Sequence, residues 1–326
     1  MRSITTRMDT SPPKITFLLG CTGSGKGAVG RELAVRIGAE IVSVDSMKVF
    51  RRMDIGTAKP SAEDRGRVPH HLIDVVEPSE DYSVAQYVAT AGETIAEIAG
   101  RGRHVLCVGG TPLYIKALSE GLFEGPSADP EIRARLRRQA EESGTSSLHE
   151  ALRRVDSVAA ERIHPNDLRR LVRALEVYEL SGQPITALQT QWDRQRQVYD
   201  CTFVGLRWPK EEQNRRTNAR VMDMIRRGLV EEVAGLLAEE RPLSTTARQA
   251  LGYAEIIEHL RGEVSLEDTM ENIRINTRRF TKAQRTWYKR FRRTRWIDLE
   301  PTESVEEVAN TLEHMEHTPW SKFPST

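Results

Sequence analysis

The chain has 326 residues, enough for two folding units or for one large unit carrying an insertion. Hydrophobic residues make up 38% and charged residues 29%, which is too apolar for a disordered chain, yet no apolar run approaches the ~20 residues that cross a membrane. Lysine and arginine (48) nearly cancel aspartate and glutamate (47), so the net charge of +1 says nothing for or against nucleic acid, and three scattered cysteines, Cys21, Cys107 and Cys201, form no C-x-x-C pair that would signal zinc or a disulfide framework.

The polar N-terminus (1–14) lacks an apolar stretch followed by a cleavage site, so it reads as a flexible tail rather than a secretory signal, and the thiols suit a cytoplasmic setting. Ile15–Leu19 then reads as a buried strand ending at a glycine-rich turn, Ala28–Ile37 as a helix stopped by Gly38, and Glu40–Val44 as a second strand. Ser46–Arg52 reads as a short helix and Ser83–Ala99 as a longer one. His104–Val108 is a further strand, closed by Gly109-Gly110. Strands alternating with helices predict a parallel, doubly wound α/β sheet. From about Pro130 to Gln195 the periodicity is helical. The strand pattern returns at Cys201–Leu206 and gives way to helices at Glu211–Arg227, Leu229–Glu240, Ala247–Leu260 and Ser265–Arg293, with a strand at Trp296–Leu299 and a helix near Val305–Met315. The expected architecture is therefore an α/β core (15–120 and 200–326) interrupted by a helical insertion (121–199).

The stretch ITFLL-GCTGSGKG is a strand, then G-x-x-x-x-G-K, then a helix, which is nearly a P-loop and makes the core P-loop NTPase-like. Gly20, Cys21, Thr22, Gly23, Ser24, Gly25, Lys26 and Gly27 would cradle a diphosphate, with backbone N–H groups and a helix N-terminus offered to the anion and Lys26 adding a point charge. Gly27 departs from the pattern: a P-loop has Ser or Thr here, whose hydroxyl holds Mg²⁺. The strand HVLCVGG also ends without the aspartate of an ATPase. A magnesium ion is still expected as cofactor, held by the diphosphate, water, Thr22, Ser24 or a nearby carboxylate. Asp45 ends the second strand on the sheet edge where α/β proteins bind ligands. The residues alone leave two readings of it open, a reacting carboxylate and the N-cap of the helix that follows.

From Arg274 to Arg295 there are ten basic residues and no acidic one. That helix interleaves Phe280, Trp287, Tyr288 and Phe291, whose expected place is the core, while Arg278, Lys282 and their neighbours would meet phosphates. Two adjacent histidines, His70 and His71, have no third ligand at suitable spacing and read as loop residues. With no exposed coiled-coil pattern, a monomer is expected.

Taken with the P-loop, SVDSMKVFRRMDIGTAKP resembles the tRNA dimethylallyltransferase family. Further matches follow in order: HHLIDVVEPSEDYSVAQY, VGGTPLYIKALSEGL, SADPEIR, RIHPNDLRRLVRALEVYELSGQPIT, QALGY and TRRFTKAQRTWYKR. The resemblance runs from about Ile15 to Trp296. It implies transfer of a dimethylallyl group from dimethylallyl diphosphate to N6 of the adenine just 3′ of the anticodon, in tRNAs reading codons that begin with U. It also implies an insertion that clasps the anticodon stem-loop. Asp45 would accept the N6 proton, and Arg220 and Lys26 would stabilise the leaving group. Asp45, Ser46, Met47, Lys48 and Thr111 would meet the tRNA, as would Arg133, Arg169, Arg170 and Arg173. For Thr111 the residues also allow a helix N-cap before Pro112; for the insertion arginines they allow a solvated face paired with Glu161 or Glu176. A P-loop kinase of a small metabolite or nucleoside is the competing enzyme, and Gly27 and the missing strand-end aspartate argue against it.

Overall fold

Apolar runs bounded by glycines become the strands of one parallel sheet in the computed structural model, which describes residues 12–121, 125–189 and 199–316. Most of the expected N-terminal tail and the end of the insertion, Thr190 onward, lie outside the described residues. The contacts divide the chain into two units, Met1–Ser119 with Val198–Thr326, and Glu120–Gln197.

The first unit is built on six strands: β1 (Lys14–Gly20), β2 (Ala39–Val44), β3 (His70–His71), β4 (His104–Gly109), β5 (Asp200–Arg207) and β6 (Arg295–Asp298). All pairings are parallel and the order is β3-β2-β4-β1-β5-β6. Every residue of β2 is buried, as expected of a strand covered on both faces. Along β1 the side chains alternate: Phe17 and Leu19 join one core with Val42, Tyr87, Ile95 and Phe203, while Leu18 joins another with Val29, Leu33, Ile41 and Val308.

Two helices come first: α1 (Lys26–Ile37), begun by Gly25, and α2 (Ala62–Arg67), opened by a capping box between Ser61 and Asp64. Then come α3 (Val84–Gly100), α4 (Pro112–Glu120) and, after the insertion, α10 (Lys210–Arg226), α11 (Leu229–Leu237), α12 (Thr245–Arg248), α13 (Tyr253–Leu260), α14 (Leu266–Tyr288) and α15 (Val305–Glu316). A third core gathers Val49, Phe50 and Met53 with Val221, Leu229, Tyr253 and Ile273 from four of these helices. No helix among the described residues is long and apolar enough to cross a membrane.

Four expectations are corrected. Ser46–Arg52 is a run of turns rather than a helix, because Phe50 bridges to Val76 and Arg52 takes a positive φ of 60°. His70 and His71 form the edge strand β3, too short for any pattern to betray. The helix expected over Ala247–Leu260 is two, broken where Gly252 adopts φ 90°. The last long helix ends at Tyr288 instead of Arg293.

The second unit is helical: α5 (Pro130–Ser143), α6 (Thr145–Val155), α7 (Ser157–Arg162), α8 (Leu168–Ser181) and α9 (Ile185–Gln189). Leu136, Leu148, Leu152, Leu171 and Val177 form its core. Asp156 is buried; it caps α7 through Ala159 N–H (2.9 Å) and accepts from the N–H and hydroxyl of Thr186, tying α9 to α7.

Candidate active site at the carboxyl edge of the sheet

Strand register assembles the site. Leu19 pairs with Gly109, and Gly109 pairs with Val44, so the next residues of three adjacent strands, Gly20, Gly110 and Asp45, emerge together on one edge. With about 4.8 Å between strands, that brings the glycine loop and the carboxylate roughly 10 Å apart before side chains extend. The approach of β4 to β2 is closest at its glycine: a Cβ on Gly109 would stand 2.1 Å from Val44 O. Gly110 and Thr111 both donate their N–H to that same carbonyl, at 3.1 and 3.2 Å.

The loop Cys21–Gly25 owes its shape to Gly23 (φ 83°) and Gly25 (φ 87°), in a region an L side chain rarely enters. Its carbonyls are then taken up from outside. Gln213 Nε2 donates to Thr22 O (2.8 Å), Arg216 Nε to Gly23 O (3.1 Å), Trp208 Nε1 to Ser24 O (3.0 Å) and Tyr288 OH to Gly20 O (3.1 Å). Gln284 bridges two strand ends, accepting from Thr22 N–H (3.0 Å) and donating to Gly110 O (2.7 Å). The loop's carbonyls are thus occupied, as are the N–H groups of Thr22, on Gln284, and of Ser24, on Cys21 O (3.0 Å); the donors left to meet an anion are at the start of α1, where the first N–H groups of a helix have no intrahelical partner. None of these five bracing residues follows from sequence spacing. Their one signal is polar or aromatic character on otherwise buried helix positions, as at Gln213, Gln284 and Tyr288.

Lys26, Lys48 and Arg220 all feel the charge of Asp45. Burial pushes the Lys26 ammonium down, Asp45 pulls it back up and Arg220 pushes it down again. Lys48 is lowered to about 8 by burial, with Asp45 opposing and Lys26, Arg220 and Arg31 adding to the fall. Burial lowers Arg220 as well, again against the field of Asp45. One carboxylate thus acts on three cations whose charged forms burial disfavours, an arrangement that a further anion would relieve. Asp45 Oδ1 also accepts from Met47 N–H (2.9 Å) and more weakly from Lys48 N–H (3.4 Å). These bonds close a turn, since no helix follows, which corrects the helix N-cap reading of Asp45. Thr111 precedes α4, but its hydroxyl turns across the edge, accepting from Ser46 N–H at 3.0 Å and donating to Ser46 Oγ at 3.3 Å.

On α14, Lys282 is exposed and Arg278 is half-buried with one Nη on Glu271 (2.7 Å). Tyr288 and Phe291 are core residues, whereas Phe280 is 44% exposed, which corrects the expectation for that ring. Trp287 is half-buried under the guanidinium of Arg290. In the helical unit Arg169 is exposed, Arg170 pairs with Asp167, and both Arg133 and Arg173 are bound to Glu176, the partner that sequence reasoning allowed.

A parallel sheet whose first strand runs into this braced glycine loop, with Asp45 on the same edge, defines a P-loop α/β protein. Comparison with known proteins narrows the class. The sequence profile of the IPP transferase family matches residues 48–291. The tRNA dimethylallyltransferase of Geobacter metallireducens is 47% identical over 285 residues, 87% of this chain and 92% of its own. That of Desulforudis audaxviator is 46% identical over 308 residues, 93% of this chain and 99% of its own. The full-length tRNA isopentenylpyrophosphate transferase of Bacillus halodurans has a crystal structure similar to this one, with a TM-score of 0.66 at 35% identity, covering 94% of this chain and 99% of that one. A eukaryotic dimethylallyltransferase acting on tRNA shares the fold at a TM-score of 0.77 and 24% identity, covering 94% and 80% of the two chains. The chain belongs to the IPP transferase family.

Proposed function

We propose that this enzyme moves a dimethylallyl group from dimethylallyl diphosphate to N6 of the adenine 3′ of the anticodon in tRNA, releasing diphosphate. The observation that carries the reading is the shared edge of Gly20, Gly110 and Asp45, with Asp45 acting on Lys26 and Arg220. Adenine N6 is a poor nucleophile because its lone pair is delocalised into the ring, and diphosphate leaves only if its growing charge is met. The N–H groups at the start of α1, Lys26 and Arg220 meet that charge, while Asp45 orients N6 and accepts its proton. A carboxylate is a weak base toward an amine N–H, so the proton leaves as or after the C–N bond forms. The base must leave its stack to reach an edge of this kind, so the nucleotide is extruded. In this reading the helical unit and the exposed face of α14 hold the anticodon stem-loop. The enzyme works as a monomer in the cytoplasm, on tRNAs reading codons that begin with U.

Magnesium has little to hold it here. Gly27 has no hydroxyl, Ser24 is buried with its Oγ 3.4 Å from Lys26 N, and no cluster of three or more Asp, Glu, His or Cys suited to a metal exists among the described residues. Any magnesium that takes part arrives on the diphosphate, liganded by phosphate oxygens and water.

The test is to incubate the protein with unmodified tRNA and either dimethylallyl diphosphate or ATP, digest the RNA and weigh its nucleosides. A dimethylallyl increment on the adenosine 3′ of the anticodon is expected. Phosphate transfer from ATP would make the chain a kinase, and RNA binding without product would leave it a binding protein.

A further inference from the structure

The space beside Gly27 is filled by a cation. Arg31 lies one turn along α1, and its Nη1 stands 3.6 Å from where a Cβ on residue 27 would be. In a P-loop that space belongs to the Ser or Thr hydroxyl and its magnesium, whose bond to an oxygen ligand is about 2.1 Å. The guanidinium is held from behind: Nε pairs with Asp64 at 3.0 Å, and Asp64 is itself fixed by its capping box with Ser61. Asp64 engages Nε and leaves the two Nη groups, the fork that meets phosphate oxygens in pairs. The charge belongs to the same cluster as the loop lysine, since Arg31 acts on Lys48 and on His70, and Lys48 in turn feels Lys26 and Arg220. A divalent ion held by the loop would have to sit among these four cations.

We propose that Arg31 takes the metal's place at this loop: its guanidinium neutralises the diphosphate oxygens that a loop-bound magnesium would otherwise meet, and Gly27 offers no hydroxyl to hold the metal instead. The inference rests on the reading of the loop as a diphosphate cradle. No bond changes at Arg31; it holds the leaving group in the bound and departing states alike, and magnesium becomes dispensable for binding it.

Isothermal titration of the full-length protein with inorganic diphosphate, in chelator and in magnesium, tests this. The protein should bind diphosphate in chelator within about threefold of its affinity in magnesium. Arg31→Leu should weaken binding in chelator by about tenfold, the low end of what a charge-assisted hydrogen bond contributes. Arg31→Lys, which keeps the charge without the fork and guards against a merely misfolded variant, should fall between the two. Gly27→Ser combined with Arg31→Leu should recover affinity only when magnesium is present. Binding that requires magnesium in the unaltered protein, or an Arg31→Leu variant as tight as the parent in chelator, overturns the proposal while the cradle stands. Failure of the unaltered protein to bind diphosphate under either condition overturns the cradle and the proposal with it.

Discussion

Oδ1 of Asp45 is engaged by the N–H groups of Met47 and Lys48, which fixes the carboxylate on the sheet edge and leaves Oδ2 to face a substrate. Losing the hydrogen bonds that close this turn costs about 1 kcal/mol, whereas a positioned general base contributes on the order of 10²–10⁴ in rate. Asp45→Ala should therefore lower single-turnover prenyl transfer at least about a hundredfold while filter-binding affinity for tRNA stays nearly unchanged; affinity loss with normal turnover would make Asp45 a structural residue only. Lys48 gives the site a pH signature. Its amine, lowered to about 8 by burial, regains its proton when an anion binds beside it. Diphosphate affinity should fall as pH rises through about 8, and calorimetry at pH 8.5–9 in buffers of different ionisation enthalpy should show proton uptake that Lys48→Gln abolishes. In the free protein the sign is opposite: below about 8 the buried charge is an unrelieved cost, and from there to about 10.4, where the unfolded amine titrates, this group makes stability rise with pH.

At the scale of elements, α14 presents two faces of different chemistry. Its buried stripe is Thr269, Ile273, Thr277, Thr281, Gln284 and Tyr288, spaced by four or three, and most of these are polar. Gln284 joins the loop after β1 to the loop after β4, so Gln284→Ala takes the acceptor from Thr22 N–H and leaves Gly110 O only the Tyr288 hydroxyl at 3.5 Å, at a cost of about 1–3 kcal/mol. The expected result is a lower melting temperature together with roughly tenfold weaker binding of inorganic diphosphate, in line with that loss. On the outer face, Lys282 is exposed and Arg278 is shared with Glu271. Each phosphate contact adds about 0.7–0.9 to the slope of log affinity against log salt, so Lys282→Ala should flatten the slope for tRNA more than Arg278→Ala does. The stripe also explains what the sequence hid. The strands are legible because Ile15–Leu19, Glu40–Val44 and His104–Val108 are apolar runs stopped by glycine or turn residues. Phe280 is not, because it sits one position off a stripe made chiefly of threonine, and its own hydrophobicity pointed the wrong way. The bracing of Thr22, Gly23 and Ser24 by Gln213, Arg216 and Trp208 joins positions about 190 residues apart, which no local pattern encodes.

At the scale of the whole chain, the helical unit depends on one carboxylate in the way the sheet edge depends on Asp45. Glu176 is fully buried on α8; it accepts from Arg133 at 2.7 Å, Arg173 at 2.6 Å and the N–H of Asp129 at 2.8 Å, so it ties the start of α5 to α8. The arginines are legible as a helical cluster with Glu176 as an available partner, but the complete burial of that carboxylate is not, because it depends on α5 and α8 packing across 43 residues of sequence. Burial alone would raise the Glu176 pKa; the bonds from Arg133, Arg173 and Asp129 outweigh it and hold the carboxyl below its ordinary value. A depressed carboxylate contributes stability that is present above the unfolded value near 4.3 and is lost as pH falls through the folded one, so the helical unit should loosen in acid through this group. Glu176→Ala leaves two guanidinium groups without their anion. Breaking a fully buried pair costs about 3–5 kcal/mol, and with both arginines about a third exposed the expectation is nearer 2 kcal/mol. Hydrogen exchange on the full-length variant should show protection falling across α5 and α8 while the strands β1, β2 and β4 keep theirs. If the helical unit serves the RNA, the same variant should weaken tRNA binding yet bind inorganic diphosphate as before. Equal loss of both would mean that Glu176 supports the sheet edge rather than the RNA-holding helices.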